Sequence, residues 1–123
     1  MLTPIAYGLA AILVVFIQLV GLRFLLQPQA AATGYGVPAK LDGDSAYLTI
    51  KGLRDITSGV IGAALLLFAD ADAVAWYMLA VALTPFGDTI IVLRHGGTKA
   101  AAFGIHFATA VIVVLSAALL FAA

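Results

Sequence analysis

The chain has 123 residues, enough for one domain, and no Cys, which rules out disulfides, thiolate metal sites and a Cys nucleophile. Apolar residues make up 64% and charged residues 10%, where a soluble domain carries roughly 25% charged; the chain is suited to lipid rather than water. Six basic and six acidic residues leave no net charge, so neither nucleic acid nor another polyanion is suggested as a partner.

The first apolar run, residues 4–26, is long enough to span a bilayer, which needs about 20 apolar residues. Thr3 and Pro4 read as its N-cap and first helical residue. No basic region precedes it, and it exceeds the roughly 7–15 residues of a signal-peptide apolar core, so it is expected to remain as a span. Gln18 is its one strongly polar interior residue, and Arg23 marks its basic border. Residues 27–46 follow as the one long loop, "QPQAAATGYGVPAKLDGDSA". Connections of this length are usually lids or disordered segments, and a lid over the next helix is expected.

The second span, 47–69, opens with "KGLRDITSGV". Lys51, Arg54, Asp55, Ser58 and Gly62 fall at i, i+3, i+4, i+7 and i+11, one helical stripe; Asp44 or Ser45 is the expected cap. The third span, 73–94, starts at a cap on Asp72 and contains "LTPFGD". There Pro85 cannot donate to the Val81 carbonyl and should kink the helix beside Thr84 and Asp88. Gly96 and Gly97 end it, and Thr98 caps the fourth span, 99–122, where Ala102, His106, Thr109 and Val113 share a face. Gly8, Ser58/Gly62, Gly59/Ala63 and Gly104/Ala108 are expected to let backbones approach. Trp76, Tyr77, Tyr7 and Tyr47 read as interfacial belts.

The architecture expected is all-α: a single integral membrane four-helix bundle over residues 1–123, up-down-up-down, multi-pass in the cell membrane. All six basic residues lie in or beside the first and third loops, which places those loops in the cytoplasm and both termini on the non-cytoplasmic side. At about 1.5 Å per residue, Asp55, Asp88 and His106 each lie roughly 10 Å inside the cytoplasmic border. A charge at the helix centre costs roughly 2.5–3.5 kcal/mol, so these groups must pair or reach water. Arg54–Asp88 and Asp55–His106 are natural pairs, and which partner takes which is beyond the sequence. The sites so marked are Asp88, Asp55 and His106 as proton-moving groups, with Arg54, Gln18, Ser58, Thr84 and Thr109 as ligand-binding neighbours.

"GLRFLLQPQAAATGYGVPA", "YLTIKGLRDITSGV" and "LTPFGDTIIVLRHGG" together resemble the family of small four-helix membrane proteins known as domain of unknown function number 4267. The resemblance covers most of the chain and implies a single-domain membrane bundle. It brings no activity, substrate or catalytic residue with it.

Three functions fit these residues. The first is binding of a lipophilic small molecule, with acid–base isomerisation or epoxide opening as chemistry that Asp88, Asp55, His106 and an oxyanion-stabilising Arg54 would support. The second is a small proton-coupled exporter, although the first helix offers Gln18 rather than an acid. The third is a structural or accessory subunit whose charges only order the helices. No cofactor is called for: Asp55, Asp88 and His106 are ligand types for Zn²⁺ or Fe²⁺, but Arg54 beside them argues against a metal. The lipid bilayer is the expected partner, and the oligomeric state is left open.

Overall fold

The computed structural model describes residues 1–40 and 44–123, and these are all-helical apart from turns. Five helices occur: α1 (Leu2–Leu26), α2 (Pro28–Tyr35), α3 (Asp44–Phe68), α4 (Ala71–Arg94) and α5 (Lys99–Ala122). The expectation of four helices is corrected by α2, a two-turn helix inside the long connection. Its punctuation is in the sequence: Pro28 stands at its first position, and Gly36 closes it at φ 103°. The Gly36 and Val37 amides reach back to Ala32, a left-handed cap that only glycine adopts readily.

Three of the five, α1, α4 and α5, are long and apolar enough to cross a membrane, with mean hydropathies of 2.5, 1.6 and 2.4. The fourth expected span corresponds to α3. It has the length, 25 residues, but Lys51, Arg54 and Asp55 interrupt its apolar run.

Caps differ from expectation at three helices. Asp44 and Ser45, the expected caps of α3, are already helical. Leu2 starts α1 with no side-chain cap, so Thr3 is already helical. Asp70, not Asp72, caps α4 by accepting from the Ala73 amide at 2.8 Å. Thr98 caps α5 as expected, accepting from Ala101 at 3.0 Å, and Gly96 ends α4 at φ 78°. Pro85 acts as its chemistry requires: with the Val81 carbonyl left without its donor, α4 is interrupted at Ala82. On α5 residues Ala102–Phe107 form a π-helical turn, a local widening frequent at functional sites.

The chain packs as two hairpins, α1 against α3 and α4 against α5, with α1 also touching α5. Glycine sets the first contact. A methyl group on Gly21 would lie 2.5 Å from the Gly52 carbonyl oxygen, and one on Gly52 would lie 2.6 Å from that of Gly21. Gly59 and Gly62 likewise leave room for Gln18 and Val14. Gly8 and Gly104, expected to do the same, face open space. The shared core lies toward the α3–α4 turn, where Ala6, Ala10, Val74, Ala75, Ala117 and Leu120 are fully or almost fully buried. Small side chains draw the four long helices together there. α3 packs on α4 mainly through the first half of that helix, near the turn, and at the other end α2 packs on α1 and α3.

Candidate functional site

The gap left between the hairpins is a cavity of about 930 Å³. Its walls are mostly apolar, from Leu13, Phe16 and Ile17 of α1 across to Met78, Val81 and Val113 of α4 and α5. Its far end is polar. Asp55, Asp88 and His106, read from three separate helices, all line it, together with Arg54, Ser58, Thr84 and Thr109. Gln18 does not line it: its amide donates to the Val14 carbonyl at 3.3 Å and its chain fills the space over Gly59.

Among the described residues neither of the two natural pairs forms. Asp55 is bound by Lys51, one turn away on its own helix, with Nζ 2.6 Å from Oδ2. Geometry explains the preference: i, i+4 neighbours share a face, so the partner already stands beside the acid. Lys51 also lies over two rings, 4.2 Å from the Phe24 centroid and 4.3 Å from that of Tyr35, a cation–π arrangement. Asp88 accepts a hydrogen bond from the Tyr35 hydroxyl rather than from Arg54. His106, 3% exposed, places Nε2 2.6 Å from the Tyr35 carbonyl oxygen. A carbonyl only accepts, so Nε2 donates this bond.

Tyr35 is therefore the hub that the sequence reading missed. Its hydroxyl meets α4 and its carbonyl meets α5. Its ring stacks edge-on against Phe24 of α1 at 5.5 Å and lies 4.2 Å from the His106 ring. Burial, and then the Asp88 carboxylate beside it, push the Tyr35 hydroxyl far above the usual phenol range, so it stays a donor. The available signal was the Pro28…Gly36 helix frame with an aromatic at its last position. The anchors of α2 are equally specific: Gln29 donates to Ser45 Oγ at 2.6 Å, and a methyl on Gly36 would meet Val92 and Ala101. Where a lid was expected, the long connection holds a short helix docked at the polar end; residues 41–43 lie outside the described residues.

Tyr77 is corrected from interfacial belt to cavity wall, its hydroxyl donating to the Ser58 carbonyl oxygen and lying 3.2 Å from Ser58 Oγ. Arg23, read mainly as a border residue, also lines the cavity, with its guanidinium beside Gly34 of α2. Among the described residues, no three His or Asp side chains converge closely enough to hold a metal ion.

No curated protein and no solved structure matches this chain. One family does, over residues 14–120, a stretch that takes in every residue lining the cavity except Leu13. The chain belongs to the family described as Domain of unknown function (DUF4267).

Proposed function

We propose that this protein is a multi-pass membrane protein that holds a lipophilic small molecule in the cavity between its two hairpins, with the molecule's polar group at the end that Arg23, Lys51, Arg54, Asp55, Asp88 and His106 line. The observation that carries this reading is the composition of the cavity: about 930 Å³, apolar along its length and polar at one end. Ligand sites typically measure roughly 300–1,000 Å³ and combine apolar walls with a few convergent polar groups.

In this reading α3 spans as well, giving four crossings with both termini on the non-cytoplasmic side. Its 25 residues reach about 37 Å, beyond a hydrocarbon core of roughly 30 Å. Of its interrupting charges, Lys51 and Asp55 neutralise each other and Arg54 faces the cavity. All six basic residues fall at the α2 end, which the positive-inside rule assigns to the cytoplasm.

The polar end also holds what an acid–base rearrangement of the ligand would require. The Tyr35–Asp88 pair is a proton donor and acceptor in contact, and the His106 ring lines the cavity beside it. Isomerisation of a bound double bond is the reaction class these groups suit, and it is secondary to binding.

The test is extraction and mass spectrometry of molecules that co-purify with the protein in mild detergent. A specific amphiphile should be recovered from the wild type and lost from Ile17→Trp, which fills the apolar part of the cavity. An identical profile from both proteins would end the reading.

A further inference from the structure

Three cations and two carboxylates line the cavity, and both carboxylates are already engaged. Asp55 holds Lys51, and Asp88 accepts from Tyr35. That leaves Arg23 and Arg54, which form no ion pair among the described residues. Both line the cavity while being exposed, so they stand at its mouth rather than in its interior.

Arg23 is not simply extended toward headgroups. Its guanidinium folds back on α2, where a methyl on Gly34 would sit 3.6 Å from Nη1. Arg54 is one turn from Lys51 and on the same helix as Asp55, yet Lys51 takes that acid. Guanidinium groups present a planar fork of donors that matches a carboxylate or phosphate oxygen pair. A cationic ligand would meet three fixed cations against two acids, one of them already ion-paired, a net positive lining. A neutral ligand would leave the arginines unused.

The apolar wall gives the rest of the molecule. On α1 it runs from Leu13 to Val20 and ends at Arg23, a distance of about 15 Å along the helix. That is an elongated slot with cationic groups at one end.

From this charge balance, and resting on the binding function proposed above, we infer that the ligand is an anionic amphiphile whose carboxylate or phosphate head is held by Arg23 and Arg54 and whose chain lies along α1. The head sits at the α2 end, next to the Tyr35 hub, and the chain tip points toward the alanine-rich core.

The experiment uses the full chain in nanodiscs of zwitterionic lipid. A fluorescent long-chain fatty acid is titrated in, in parallel with its methyl ester. The acid should bind at least tenfold more tightly than the ester, and Arg23→Gln/Arg54→Gln should reduce acid binding to the level of the ester. Retained ester binding in that variant shows that it is folded. Competition by vesicles of anionic phospholipid, compared with competition by the free unlabelled acid, distinguishes a membrane lipid from a soluble one as the source of the head. Equal affinity for acid and ester would overturn the anionic assignment while leaving a lipophilic site standing. An acid preference that survives the double substitution would overturn the role of these arginines. Failure of both probes to bind would remove the proposed function along with the inference.

Discussion

Tyr35→Phe isolates one interaction at the hub. The ring contacts with Phe24 at 5.5 Å, His106 at 4.2 Å and Lys51 at 4.3 Å all survive, because phenylalanine keeps the ring. The bond to His106 also survives, because it uses the Tyr35 backbone carbonyl. Only the hydroxyl donated to Asp88 is lost. A hydrogen bond to a charged group contributes roughly 1.5–3 kcal/mol. Asp88 is half-buried, so the lower part of that range applies, about 1.5–2 kcal/mol. Because α2 docks as a separate small unit, the loss should appear first as local opening. Amides of residues 31–37 should then exchange roughly 10- to 30-fold faster by mass spectrometry in nanodiscs. In an Asp88→Leu background, where no acid is left without a partner, the same substitution should change exchange by less than about 0.5 kcal/mol. Unchanged exchange in the single variant, or an equal effect in both backgrounds, would refute the hub.

Other outcomes follow from the same geometry. Lys51→Met should destabilise the protein by about 2–3 kcal/mol in detergent unfolding, since it leaves Asp55, 9% exposed, without its partner; adding Asp55→Leu should restore most of that. Gly52→Ala should destabilise by about 1–3 kcal/mol, because its methyl would sit 2.6 Å from a backbone oxygen that cannot move aside, whereas Gly104→Ala meets open space and should be neutral or stabilising by up to about 1 kcal/mol. Asp70→Ala should lower stability by about 1 kcal/mol through loss of the α4 cap. The raised Tyr35 hydroxyl gives a pH signature. The folded chain keeps a proton that the unfolded chain releases near about pH 10; stability is therefore unaffected by this group below that pH and falls above it. Alkaline unfolding of the wild type should steepen above pH 10 relative to Tyr35→Phe, and parallel curves would contradict the assignment.

The long helices were legible because hydrophobic length and helix punctuation are local properties. Apolar runs mark α1, α4 and α5, Thr98 and Gly96 set their ends, and Pro85 interrupts α4 where its missing amide requires. That Asp55, Asp88 and His106 line one cavity was also readable, since helical rise turns residue number into depth. Partner choice was not. Depth and face leave several cations within reach of each acid, and proximity along one helix decided for Lys51 over Arg54 at Asp55.

The sequence by itself thus determined an all-helical chain, the three membrane-length apolar helices among the four spans expected, and a level at which ionisable groups gather. The tertiary structure decided what they touch. Tyr35 lies 53 residues from Asp88 and 71 from His106, and nothing local ties it to either. Its role depends on α2 folding back between two hairpins that close through small residues at one end and stay apart at the other. Long-range contacts of that kind arise from how helices pack, and periodicity along the chain does not encode them.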